Sequence, residues 1–262
     1  MNDTAKPAAL VTGASSGIGA IYADRLARRG HDLVLVARDA ARMDATAARL
    51  RAETGVGVDV LAADLVDPRA LARVEDRLRQ DQRIGILINN AGAAMAGGFA
   101  DPDLDAAERL IRLNVTAVMR LAGAAIPGML ARGQGAIVNI ASVLALAPEI
   151  SPGIYAGTKS FVLTFSQSLQ TELGPRGLYV QAVLPAATRT EIFERAGRRL
   201  ADIPVIMEAG ELVDAALVGF DRRESVTIPP LPDVAQWDSL EAARHALMPG
   251  FRQEHAAARY RG

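Results

Sequence analysis

Tyr155 and Lys159 stand four residues apart in Tyr155-Ala156-Gly157-Thr158-Lys159. On a helix those positions share a face, which sets an ammonium beside a phenol. Composition sharpens the pairing. Lys6 and Lys159 are the only lysines among 29 Lys and Arg residues, and tyrosine occurs 4 times. A chance Tyr-x-x-x-Lys is expected about 0.03 times in such a chain. A lysine here implies a task for a compact charge on a flexible stem rather than for the planar arginine fork. A free phenol titrates at about 10. An ammonium ~4 Å away attracts its phenolate by about 4 kcal/mol at an effective dielectric near 20. That lowers the pKa by up to roughly three units before desolvation takes part of it back. The expectation is a phenol near 7, where acid–base catalysis is most effective.

A second cluster stands near the start of the chain. An apolar run from Ala8 to Val11 ends in Thr12-Gly13-Ala14-Ser15-Ser16-Gly17-Ile18-Gly19 and passes straight into a helical pattern. Glycines permit a tight turn and close backbone approach, and a helix N-terminus offers free N–H groups to a pyrophosphate. The spacing is Gly-x-x-x-Gly-x-Gly rather than Gly-x-Gly-x-x-Gly. The next apolar run ends Val36-Ala37-Arg38-Asp39. Ala37 occupies the place of the carboxylate that accepts the ribose hydroxyls of NAD, and the Arg38 guanidinium suits a 2′-phosphate. NADP is therefore favoured over NAD, with Ser15 as a second phosphate contact.

The elements that must position these residues are legible as alternation. Apolar runs at Ala8–Val11, Asp32–Ala37, Val58–Ala62, Ile84–Ile88, Ala136–Ile140, Leu178–Leu184 and Ser225–Ile228 read as strands. Several are continuously apolar, the mark of strands buried on both faces of a parallel sheet. Helical patterns fall near 17–29, 40–54, 68–82, 103–131, 153–173 and 208–222. Asp67-Pro68 reads as a cap followed by proline at the first helical position. The fold class is α/β: a doubly wound, seven-stranded parallel sheet of Rossmann type, one domain over 1–262.

Composition narrows the function classes. The 262 residues are 50% hydrophobic with a net charge of −1, enough for one large core and without a bulk field for nucleic acid or an anionic membrane. Cysteine is absent, and His31, His245 and His255 have no ligand spacing, so neither thiol chemistry nor a metal site is expected. No signal-peptide pattern opens the chain and no long uncharged apolar run occurs. A cytoplasmic protein is the expectation.

Together these motifs resemble the short-chain dehydrogenase/reductase family, over residues 8–190. The likeness rests on Thr12-Gly13-x-x-x-Gly17-x-Gly19, Asp64, Asn89-Asn90-Ala91-Gly92, Asn114, Ser142 and Tyr155-x-x-x-Lys159, in family order. The resemblance implies a nicotinamide-dependent oxidoreductase acting on a carbonyl/alcohol pair. Tyr155 is then the general acid or base. Lys159 tunes it and binds the nicotinamide ribose. Ser142 donates to the substrate oxygen, and Asn114 holds a water that relays protons to Lys159. The coenzyme falls to Gly13, Ser15, Ser16, Gly17, Ile18, Gly19, Arg38, Asp64, Leu65, Asn90, Ala91, Gly92, Tyr155, Lys159, Pro185, Thr188 and Thr190. Taken singly, Ser142 also reads as a strand terminator, Asn114 as a buried amide tying helix to sheet, and Asp64 as a helix cap.

Leu184-Pro185-Ala186-Ala187-Thr188-Arg189-Thr190 departs from the family's Pro-Gly by carrying Ala186. The segment 186–207 reads as a helical lid over the active site. Ser142, Leu144, Leu146, Phe193 and Met207 are expected to line an aliphatic pocket for a hydrophobic ketone or aldehyde. Arg189 or Arg195 offers a weaker case for a carboxylate or carrier phosphate, as in a 3-oxoacyl reductase. An epimerase or dehydratase and a non-catalytic NADP sensor are the alternatives from other classes. From about 229 to 262 an extension places Trp237, Leu240, Ala243, Leu247 and Phe251 at helical intervals, to pack on the body or on a partner. The resemblance implies a homodimer or homotetramer.

Overall fold

The computed structural model describes residues 6–95, 99–150, 153–197 and 199–261. Two compact units are formed, Met1–Pro229 and Pro230–Gly262. The first is built on seven parallel strands: β1 (Ala8–Thr12), β2 (Leu33–Ala37), β3 (Val58–Ala62), β4 (Ile84–Asn89), β5 (Gly135–Ile140), β6 (Leu178–Val183) and β7 (Val226–Thr227). Their spatial order is β3-β2-β1-β4-β5-β6-β7. The order reverses between β1 and β4, and the crevice beyond the strand ends at such a switch point is where open α/β sheets bind ligands.

Continuous apolarity in the central strands has the expected cause: both faces are covered. On one face Leu10, Val34, Leu87, Ile137 and Val180 pack beneath α3 (Pro68–Gln80), α5 (Val118–Ala131) and α6 (Ile154–Leu173). On the other, Val11, Leu35, Ile88 and Val138 pack beneath α1 (Gly17–Arg28), α2 (Ala40–Thr54) and α8 (Ala209–Asp221). Truncating a fully buried side chain such as Leu121 costs about 2–5 kcal/mol. The carboxylate of Glu75, 2% exposed, is paired with Arg79 and Arg120, which ties α3 to α5.

Two expected elements differ in form. The helix expected over 103–131 is α4 (Leu104–Ile111), a π-helical turn Arg112–Ala117, and α5. By length and composition Leu104–Ala131 is apolar enough to cross a membrane. Its Leu121, Ala122, Ala125 and Met129 instead pack on the sheet. In the expected lid, regular helix is confined to α7 (Ile192–Arg195) and a 3-10 turn, Leu200–Asp202, beside a bridge between Thr188 and Met207. Arg198 lies outside the described residues.

In the second unit α9 (Val234–Ala246) starts where the Asp233 carboxylate accepts the N–H of Ala235. Among its described residues this unit shows no apolar core of its own: Leu240, Ala243, Leu247 and Phe251 are all exposed, and Trp237 is only partly covered.

Candidate active site

The glycine turn is shaped by sterics as much as by flexibility. Gly13 and Gly17 have φ of +67° and +54°, a region that side chains with a Cβ rarely enter. A Cβ on Gly19 would lie 2.4 Å from the Gly13 carbonyl oxygen and 2.5 Å from Asn90 Nδ2. The turn is therefore packed against the end of β4. Thr12 makes that join: its hydroxyl accepts the N–H groups of Asn90 and Ala91, each at 3.0 Å, and donates to the Ile88 carbonyl at 3.2 Å. Asn90 Nδ2 returns a bond to the Thr12 carbonyl at 2.9 Å.

The start of α1 differs from the starts of α2, α3 and α4. Those three are closed by Asp39, Asp67 and Asp103, whose carboxylates accept an N–H of the first turn. At α1 the cap is Ser16, with extended backbone and no side-chain cap bond, and no acidic residue occupies the first turn. Partial positive charge at this end is thus left for an anion arriving at the turn. Ser15, Ser16, Gly17 and Ile18 border it, each partly exposed. Arg38 is exposed at the end of β2. This donor set fits a phosphorylated dinucleotide.

On the far side of the switch point, the π-helical turn carries Asn114. Such turns widen a helix by one residue and recur at functional sites. Asn114, 1% exposed, accepts the Ala93 N–H at 3.0 Å and donates to the Ala93 carbonyl at 2.9 Å and to Thr158 Oγ1 at 3.2 Å. It therefore ties the loop after β4 to α6, as the plain structural reading of a buried amide has it. A Cβ on Gly92 would lie 3.3 Å from Asn114 Oδ1 and 3.6 Å from Lys159 Nζ. Asn114, Gly92 and Lys159 thus share one small volume.

Lys159 is buried, and its ammonium donates to the Ile140 carbonyl at 2.8 Å. It sits 5.7 Å from the centre of the Tyr155 ring. The sequence places these side chains on one helix face, and the structure does likewise. The expected titration is not met by the protein's own charges. Burial pushes the Tyr155 phenol up to about 12, only partly offset by a hydrogen bond with Ser142. Burial also lowers Lys159 to about 8. The residue surface of Tyr155 is partly open, so it is the surroundings of the hydroxyl that impose this. Ser142, 7% exposed, donates weakly to the Pro185 carbonyl at 3.3 Å and accepts the Leu144 N–H at 3.2 Å. It both ends β5 and faces the phenol.

The remaining expected residues fall around this cleft or its edges. Asp64 is exposed after β3 and closes a local turn by accepting the Val66 N–H, while Leu65 is buried in the core. Pro185 and Thr188 are buried, and Thr188 Oγ1 donates to the Ala186 carbonyl. The Thr190 methyl lies against Gly17, 3.1 Å from where a Cβ would be. Leu144, Phe193 and Met207 are partly covered, and Leu146 is 40% exposed. Arg189 and Arg195 are engaged by Glu208 and Glu191.

Sequence reasoning assigned no task to Asn139, Thr158 or Ser166. Asn139 sits in β5 between the two cores, accepts from Asn89 at 2.9 Å and donates to Ser166 at 2.9 Å. An asparagine within a continuously apolar strand is the signal that would have found it, because a buried amide needs partners.

The family described as short chain dehydrogenase matches residues 7–200. The chain belongs to that family. Its Rossmann-type sheet and motif order are those of NAD(P)-dependent oxidoreductases acting on a CH–OH group. A short-chain dehydrogenase from Sphingobium yanoikuyae, solved in complex with NADPH, is 63% identical with a TM-score of 0.96, covering 97% of this chain and 100% of that one. A bulky-bulky ketone specific alcohol dehydrogenase from Comamonas testosteroni is 54% identical with a TM-score of 0.92, covering 99% and 100%. The very-long-chain 3-oxoacyl-CoA reductase of Homo sapiens is 35% identical over 188 residues, 70% of this chain and 60% of that protein. The chain thus spans about 60% of the length of the curated relatives it matches.

Proposed function

We propose that this short-chain dehydrogenase uses NADP to interconvert a bulky hydrophobic ketone, or an aldehyde, and its alcohol. The observation that carries the reading is the convergence of Ser142, Tyr155 and Lys159 at the end of β5, beside Gly92 and across the switch point from the open start of α1. NADP is supported by Arg38 at the end of β2, by Ala37 in place of a carboxylate, and by the NADPH held by the Sphingobium relative.

Bound nicotinamide supplies or accepts the hydride, and the protein supplies position and protons. Ser142 donates a hydrogen bond to the substrate oxygen as charge grows on it. Tyr155, which burial keeps protonated at neutral pH, gives its proton to that oxygen in the reducing direction. Lys159, charged below about 8, then stabilises the phenolate left behind. Asn114 holds the loop and α6 that carry Gly92 and Lys159 in register, and the relay water remains part of this reading.

A ketone fits better than a carrier-linked acyl group for one reason. Arg189 and Arg195, the lid arginines that offered a case for an anionic group, already have carboxylate partners. The cytoplasm and a homodimer or homotetramer complete the reading, the latter supported by Ile111 and Met119, which stand exposed on the outer side of α4 and α5.

The test is NADPH oxidation at 340 nm against ketones with two large substituents, small aldehydes and 3-oxoacyl-CoA thioesters. Bulky ketones are expected to turn over fastest. Tyr155→Phe is expected to lower kcat by about 10²–10⁴-fold with coenzyme binding intact. Unchanged kcat in that variant overturns the role of Tyr155, and faster turnover of the thioesters overturns the substrate assignment.

A further inference from the structure

Arg42 stands in the first turn of α2, four residues beyond Arg38. Its backbone N–H is taken by the Asp39 carboxylate at 3.0 Å, and its guanidinium lies 3.4 Å from the same side chain. The guanidinium's closest partner is remote in sequence. Its terminal nitrogen donates to Glu191 Oε1 at 2.8 Å, a bond across 149 residues. Glu191 follows Thr190, whose methyl rests on Gly17. The opening of the lid segment is therefore moored twice, on the glycine turn and on α2. A cavity of about 300 Å³ is lined at this point by Gly17, Thr190, Glu191 and Glu194, among others.

This arrangement is odd for an anion site. Two carboxylates, Glu191 and Glu194, line the cavity that the glycine turn borders. Glu191 is paired with two guanidiniums, Arg195 within the lid segment and Arg42 from α2, the element that follows the proposed 2′-phosphate reader Arg38. The pair is exposed on both sides, 53% and 40%, so it is screened by water and weakly held. A phosphate monoester carries nearly twice the charge of a carboxylate and takes a guanidinium bidentately. It is the stronger partner for the same fork.

We propose that Arg42 is a second reader of the coenzyme's 2′-phosphate, and that Glu191 at the lid's start competes with that phosphate for it. The inference rests on the NADP reading above. It makes the lid sense which coenzyme is bound, since only a 2′-phosphorylated one draws Arg42 away from Glu191.

The experiment is binding, not turnover. Adenosine 2′-monophosphate, adenosine 5′-monophosphate, NADPH and NADH are titrated calorimetrically into the wild type, Arg42→Ala and Glu191→Gln, with thermal unfolding confirming that each variant is folded. Arg42→Ala is expected to weaken the two 2′-phosphorylated ligands about tenfold and the other two by less than about twofold. Glu191→Gln, which keeps size and removes charge, is expected to tighten the 2′-phosphorylated pair about threefold. Equal loss for all four ligands, or no loss, in Arg42→Ala overturns the reader role. No tightening in Glu191→Gln overturns the competition. A wild type that binds NADH as well as NADPH refutes the NADP reading itself, whatever the variants do.

Discussion

The cleft at the strand ends and the segment over it are held by opposite kinds of interaction. In the cleft, neutral groups are buried and joined in short bonds: Thr12 to Asn90 and Ala91, Asn114 to Ala93 and Thr158, Asn139 to Asn89 and Ser166. In the segment from Ala186 to Met207, the proposed lid, the ion pairs are exposed: Arg42–Glu191 joins it to α2, Arg195–Glu191 lies within it, and Arg189–Glu208 spans to its end. Buried hydrogen bonds resist salt and are costly to leave unpaired. Exposed ion pairs are screened and exchange partners readily. The cleft is thus suited to fixing atoms, and the covering segment to moving.

The largest break in that contrast comes from the glycine turn. Gly19→Ala drives a Cβ into the Gly13 carbonyl oxygen, a backbone atom that cannot swing aside. Coenzyme affinity is expected to fall at least about 100-fold, and thermal stability by about 1–3 kcal/mol, as overpacking does. Gly197→Ala, in the covering segment, meets no neighbour but has φ of +74°, so it is expected to strain only its local turn and leave affinity within about threefold. Calorimetric binding and thermal melts of both variants decide the matter. Similar losses at the two sites would erase the distinction.

The same contrast marks what was legible in the sequence. The sheet, its seven strands and the pairing of Tyr155 with Lys159 follow from short-range signals: apolar runs, glycine spacing and the i,i+4 pair; Ser142 joins them only through the family resemblance. Each is a local constraint that the chain writes at fixed intervals. The Asn89–Asn139–Ser166 ladder joins residues 27 and 50 positions apart, and the Arg42–Glu191 pair joins residues 149 apart. Nothing periodic reports such contacts. The π-helical turn at Asn114 likewise hides inside a helical pattern that reads as unbroken. The phenol expected near 7 departs from that value for a different reason. The spacing supplies the neighbouring charge but not the burial, which pushes Tyr155 up and Lys159 down.

A middle-sized effect tests the cleft's electrostatics through pH. Burial depresses Lys159 to about 8, so its ammonium is present below that pH and lost above it. Carbonyl reduction, which under the proposed role of Tyr155 leaves a phenolate there, is expected to hold steady below pH 8. Above it, kcat/KM falls by about tenfold per unit as the ammonium disappears. In Lys159→Arg the guanidinium stays charged throughout, so the overall rate drops but the break near 8 vanishes. A break that persists unchanged in that variant assigns it to another group.

The smallest effect belongs to the covering segment. Arg189 and Glu208 are 51% and 62% exposed and lie 2.6 Å apart, a geometry worth about 0–1 kcal/mol. A double-mutant cycle of Arg189→Ala and Glu208→Ala is expected to show a coupling below about 1 kcal/mol in stability that fades as salt rises from 0.05 to about 0.5 M. The equivalent cycle on Asn139→Ala and Ser166→Ala, both buried, is expected to keep its coupling over the same range, because mobile ions cannot enter between them. A salt-insensitive Arg189–Glu208 coupling would mean that water does not reach the pair, and the covering segment would then be as rigidly built as the cleft beneath it.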